Sequence, residues 1–168
     1  MKKFVIVAIA ALFTSSVALA DAETGIDAFN NRNFELALKE LQPAAESGSL
    51  EAMYYLGQMH AAGFGVEKDL AKALTHYRTA AEKGHVPSQK EYGTALALGE
   101  GIKQDVKEGL KWLMIAAKTG DESSKEYADR FSRYMSRTIV LTARKEANEW
   151  YQAFNKKNAS TETEAAPQ

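Results

Sequence analysis

The residues best suited to chemistry in this 168-residue chain are its three histidines, His60, His76 and His85. A neutral imidazole can act as a general base or bind a borderline metal ion. No two of the three stand three or four residues apart, so no single helix carries a ligand pair on successive turns. The chain has no cysteine, which excludes thiolate nucleophiles, thiolate metal sites and disulfides. No serine is followed three positions later by lysine, so the serine–lysine nucleophile pattern is absent as well. Carboxylates are plentiful, with 22 Asp and Glu, but they are scattered along polar stretches. The expectation is a protein that is not an enzyme and uses no metal and no cofactor.

The elements that position these residues repeat. Ala44-Ala45 with Gly48, Ala80-Ala81 with Gly84, and Ala116-Ala117 with Gly120 recur at a step of 36 residues. A fixed period in this range marks stacked helical repeats. Apolar positions repeat inside each unit: Phe34, Ala37, Leu38, Leu41; then Leu70, Ala73, Leu74, Tyr77; then Val106, Gly109, Leu110, Leu113. Their spacing of three, four and seven is one face of an α-helix. The pattern predicts an all-α fold, an α-α superhelix (solenoid) of about four hairpins. The pairs fall near 22–30 and 34–47, 50–62 and 70–83, 86–98 and 106–119, and 122–135 and 137–154.

Each repeated polar or small residue has a physical reason to be there. Gly63 and Gly99 end the first helix of a repeat and should adopt positive φ, with Gly65 and Gly101 turning the loop that follows. Asp69 and Asp105 should cap the next helix through its free amides, and Asp105 with Glu108 matches a capping box. Gly48, Gly84 and Gly120 stop the second helices. Gly57 and Gly93 lie mid-helix, where each costs about 1 kcal/mol relative to alanine. Close helix crossings would offset that cost. Pro87 falls in a first helical turn, and Pro43 lies inside the second helix and should bend it. Ser136 should cap the last helix.

The run from Leu56 to Gly84, with Gly57, Gly63, Gly65, Asp69, the Ala80-Ala81 pair and Gly84, resembles the Sel-one-like repeat family, a relative of tetratricopeptide repeats. Tyr92 to Gly120 is similar, with Tyr92, Ile102 and Gly109 replacing the usual Leu, Val and Ala. The stretch 25–150 as a whole resembles a small bacterial member. The resemblance implies α-α hairpins stacked into a superhelix. It also implies roles in scaffolding, envelope signalling or host contact. It places His60, His76 and Trp112 at positions used for core packing. Cysteine-rich members are linked to penicillin binding or β-lactamase activity, but this chain lacks their cysteine pairs.

Residues 1–20 read as a cleaved signal peptide: Lys2-Lys3, the apolar run Phe4 to Phe13, and Ala18-Leu19-Ala20 before the cut. The apolar run is too short for a stable membrane anchor. The expected location is periplasmic or secreted. Without Lys2 and Lys3, the 21 basic side chains become 19 against 22 acidic ones, a net charge of −3. That balance gives no footprint for nucleic acid. The mature repeat domain should span 21–154, with repeats near 22–48, 49–84 and 85–120 and a capping hairpin at 121–154. The tail 155–168 lacks large apolar residues and reads as disordered.

A solenoid offers a surface rather than a pocket. First helices of successive hairpins line the concave face, and one stripe on them can be followed by the 36-residue step. It comprises Tyr54, Lys90 and Glu126; Tyr55, Glu91 and Tyr127; and Gln58, Thr94 and Arg130. Tyrosine mixed with charge suits recognition of another protein. For Tyr55 and Tyr127, packing within their own hairpin stands as an equal alternative. The leading reading is an exported protein–protein interaction adaptor. A peptidoglycan or glycan-binding module is the second reading, and a cell-wall hydrolase a disfavoured third.

Overall fold

The computed structural model describes residues 22–165, with side chains through Ser160; the expected signal peptide lies outside the described residues. These residues form eight helices: α1 (22–30), α2 (Phe34–Glu46), α3 (Leu50–Ala62), α4 (Leu70–Glu82), α5 (Val86–Leu98), α6 (Val106–Ala117), α7 (Glu122–Ser132) and α8 (Arg137–Ala165). They contain no strand among the described residues. The chain divides into two compact units, one up to Lys83 and one from Gly84. None of the described helices is long and apolar enough to cross a membrane.

In the first unit, α2 packs on α3 and α3 on α4. The core is rich in alanine: Ala37, Ala44, Ala52 and Ala80 surround Leu41, Met53, Leu56 and Met59. Small side chains keep the helix faces thin and let the backbones approach. An aromatic group closes one end. Phe34 and Phe64 stack at 4.8 Å, and Phe29 meets Phe34 and Tyr55 edge-on at 5.7 and 5.0 Å. Gly57 is seated on the ring of Tyr77, so close that a Cβ there would lie 2.4 Å from it.

The second unit is built on α6, which packs against α5, α7 and α8. Leu110 and Leu113 of α6 join Ala128 and Ala143 in its core. The α5–α6 crossing is closer still, with Gly93 facing Gly109 backbone to backbone.

The loop geometry repeats as the sequence does. Gly63 N and Phe64 N both donate to Met59 O, and Asp69 N donates to His60 O; Gly99 N and Glu100 N donate to Ala95 O, and Asp105 N to Leu96 O. Each bond in the second set lies 36 residues beyond its counterpart. Gly63 and Gly99 have φ of 78° and 77°. Gly63→Val and Gly99→Val should each lower stability by more than about 1 kcal/mol, since a β-branched residue resists this region. Gly99→Val should cost more, because its Cβ would also meet Gln104 Cβ at 3.1 Å. Urea unfolding of both variants checks the values and their order.

The caps form as expected at Asp69, Asp105 and Ser136, whose side chains accept from the amides of Lys72, Glu108 and Ile139 at 3.0, 2.9 and 3.4 Å. The capping box at Asp105 is only half made. Asp105 N is bonded to Leu96 O, and the Glu108 carboxylate turns instead to Trp112 Nε1 at 3.0 Å and to Lys111 Nζ. A buried indole N–H needs an acceptor, and Glu108, one turn away, supplies it.

Pro43 lies inside α2, as expected, and the helix runs through it to Glu46. Two expectations about chain paths are corrected. The helix expected over 122–135 stops at Ser132, where Arg133 and Tyr134 turn back onto Asp129 O and Phe131 O. The tail expected to be disordered continues α8 to Ala165. It lacks apolar anchors, but no Gly or Pro occurs before Pro167 to end a helix already nucleated.

Candidate functional site

Helix α3 presents two faces to two different surroundings. Tyr54, Tyr55 and Gln58 lie on one side. Met53, Leu56 and His60 lie on roughly the opposite side, as a rotation of about 100° per residue requires.

On the first side, Gln58 Nε2 donates to Tyr54 Oη at 2.7 Å. The Tyr54 ring rests near Tyr55 at 5.5 Å and Tyr77 at 6.0 Å. All three side chains of this group, Tyr54, Tyr55 and Gln58, are half-buried. Tyr55 packs against the core through Phe29 of α1, in the preceding hairpin and not within its own. Tyr54 and Gln58 remain at the surface as a preformed hydrogen-bonded pair.

The matching positions of the second unit carry more charge. Lys90 and Glu91 are half-buried and form an ion pair at 3.6 Å. Asp121 also interacts with Lys90. Burial pushes the Asp121 carboxyl up. The Ser124 amide, the Ser123 hydroxyl and the Lys90 charge outweigh that and hold it below its ordinary value. Thr94 is half-buried, whereas Glu126, Tyr127 and Arg130 on α7 are exposed. Lys90 therefore has a local electrostatic role as well as an outward one.

The other side of α3 forms the floor of a cleft of about 530 Å³ between α2 and α4. Leu38 and Gln42 come from α2, Met53, Leu56 and His60 from α3, and Lys72, His76 and Thr79 from α4. Here the structure joins two histidines that their spacing had separated. The rings of His60 and His76 lie nearly parallel, 10° apart, with centroids at 5.7 Å. His76 is held below the usual imidazole range, first by burial and then by the neighbouring His60. Nδ1 of His60 is buried without a hydrogen-bond partner.

A sequence signal for this pair did exist. In an antiparallel hairpin, facing residues have numbers that add to a nearly constant value, and Gly57 with Tyr77 sets that value for His60 with His76. A search confined to one helix could not see it. The pair does not make a metal centre on its own: no group of three or more His, Cys, Asp or Glu suited to a metal occurs among the described residues. His85 stands apart, with Nδ1 at 2.8 Å from Ser88 Oγ at the start of α5.

Comparison with known proteins agrees with this architecture. The Sel1 repeat family matches residues 50–85 and 86–121. No curated protein matches the chain. Among solved structures, it is similar to c5321, described as a protective antigen of uropathogenic Escherichia coli strains displaying an SLR fold. That likeness has a TM-score of 0.78 at 21% identity, over 90% of this chain and 33% of that one. This chain thus spans about a third of that relative's length. It is also similar to a Sel1 repeat protein from Oxalobacter formigenes, with a TM-score of 0.62 at 29% identity, over 71% of this chain and 97% of that one.

Proposed function

We propose that this chain, a Sel1 repeat protein through residues 50–121, is an exported adaptor that binds another protein on the face presented by its first helices. Sel1 repeat proteins are generally protein-interaction scaffolds. The observation that carries the finer reading is the Tyr54–Gln58 hydrogen bond at 2.7 Å on a half-buried side of α3. Burial alone does not distinguish the helices, since α3 and α5 bury five and seven residues and α4 and α6 five and six. The first helices keep Tyr54, Gln58, Lys90 and Thr94 at least partly accessible. Tyrosine supplies contact area at low side-chain entropy cost, and the exposed Arg130 can pair a carboxylate through two hydrogen bonds.

Export is proposed from Lys2-Lys3, the apolar run that follows and the Ala18-Leu19-Ala20 site. The partner is accordingly sought in the cell envelope or outside the cell. The chemistry of the site favours recognition over catalysis, since no nucleophile–base pair accompanies the stripe.

The test captures a partner from envelope extract on the mature chain and measures its affinity for two variants. One replaces Tyr54, Lys90 and Arg130 with alanine. The other replaces Lys39 and Lys145, which are exposed in α2 and α8. The triple variant should lose at least about 2 kcal/mol of binding, as truncation of central anchors does, and the control pair little. The opposite order would place the interface elsewhere.

A further inference from the structure

The cleft between α2 and α4 has a chemistry unlike that of the Tyr54 side of α3. Its floor is apolar, from Leu38, Met53 and Leu56, and groups that can carry positive charge converge on its α4 side. We propose that this cleft is a second recognition site, which takes an acidic amphipathic peptide segment with its apolar side chains on the floor and its carboxylate beside His60, His76 and Lys72. The inference rests on reading the chain as a protein-binding module but not on the Tyr54 stripe.

Charge complementarity selects this occupant. The only acid lining the cleft is Glu46, which comes from α2. In the loop below His60, Asp69 caps α4 and keeps its negative charge, with its second oxygen 3.9 Å from Lys72 Nζ. Its charge also acts on His60, so the positive character of this end of the cleft grows as the imidazoles take up protons. Glu67 and Lys68 of the same loop are exposed and of opposite sign. A ligand carboxylate would therefore meet Lys72 and two imidazoles at one end and avoid Glu46 at the other. An apolar segment without charge would fill the floor but leave that end unused.

The histidine pair also gives the site a pH dependence. In the free protein the two rings share a half-buried space, and a second positive charge there is disfavoured. Burial and His60 both hold His76 toward its neutral form. A carboxylate placed beside the rings favours their charged forms and reverses that shift. The complex then binds more protons than the free protein, so affinity rises as pH falls through the imidazole range. Each proton taken up contributes at most about tenfold per pH unit.

The probe is a short, terminally blocked peptide of leucines around one glutamate, with a glutamine peptide as its neutral counterpart. Histidine ring resonances of the full chain are followed by NMR during titration. The glutamate peptide should move the His60 and His76 signals, raise the His76 midpoint, and bind at least about fivefold tighter near pH 5.5 than near pH 7.5. The glutamine peptide should show no such gain. His76→Gln and His60→Gln should flatten the pH dependence, with thermal melting confirming that each variant is folded. Lys72→Ala should weaken the glutamate peptide at both pH values. Unmoved histidine signals in the native chain, or equal pH-independent binding of both peptides, would overturn the proposal. If the native chain fails this test while the stripe variant loses its protein partner, the proposed function stands and this inference alone falls.

Discussion

Gly109→Ala should destabilise the protein by more than about 2 kcal/mol, although alanine is the better helix former by about 1 kcal/mol. The steric term decides the sign. A Cβ at Gly109 would lie 2.5 Å from Gly93 O, 2.6 Å from Ala97 N and 2.9 Å from Ala97 Cβ. Two of these three neighbours are backbone atoms of α5, which cannot swing aside as a side chain can. Relief requires the two helices to separate, and overpacking of this kind costs about 1–3 kcal/mol or more. Two other glycines calibrate the argument. Gly93→Ala should cost less, because its nearest contacts are at 3.0 and 3.1 Å. Gly57→Ala should fall between the two: its Cβ would press on the Tyr77 ring at 2.4 Å, and a ring can tilt. Urea unfolding gives the order directly. A Gly109→Ala variant as stable as the parent would show that the α5–α6 crossing yields more easily than its geometry implies.

Trp112→Ala should cost about 3–5 kcal/mol, the range for removing a large buried aromatic. Trp112 is only 4% exposed and links α5, α6 and α8. Its ring meets Tyr92 at 5.8 Å and Trp150 at 5.4 Å, and Trp150 stacks on Phe154 at 4.9 Å. The Lys111 ammonium lies 5.0 Å from the ring centre. Phe154 in turn covers Gly84, where no Cβ would fit. Loss of the indole therefore empties the centre of a chain of rings that holds α8 to the hairpin. Trp112→Phe keeps most of the apolar contact and loses the hydrogen bond to Glu108, for about 1–2 kcal/mol. Denaturant titration followed by circular dichroism measures both variants. A Trp112→Ala loss below that of Trp112→Phe would show that packing is not the main contribution of this residue.

The helical hairpins were legible because the same physical requirements recur every 36 residues. Glycine is needed where φ is positive, aspartate where amides are free, and alanine where backbones approach. Each leaves a residue-specific mark at Gly63, Asp69 and Ala80, and again at Gly99, Asp105 and Ala116. What depends on competition between partners was harder to read. Glu108 matched a capping box, yet the indole of Trp112 and the ammonium of Lys111 draw its carboxylate away. The end of α8 was missed because absence of apolar anchors is a statement about packing, whereas continuation to Ala165 depends on local propagation. His60 and His76 were read separately because their proximity is a property of the hairpin, not of either helix. On the stripe, residue type could not foresee that Tyr55 would join Phe29 or that Lys90 would serve Asp121.

Amide hydrogen exchange of the full chain, free and saturated with its purified partner, tests binding by the first helices most directly. New protection is expected over Tyr54–Gln58 in α3 and Lys90–Thr94 in α5, with smaller changes near Arg130 in α7. Protection confined to α2, α4 and α6, with those first-helix segments unchanged, would contradict it.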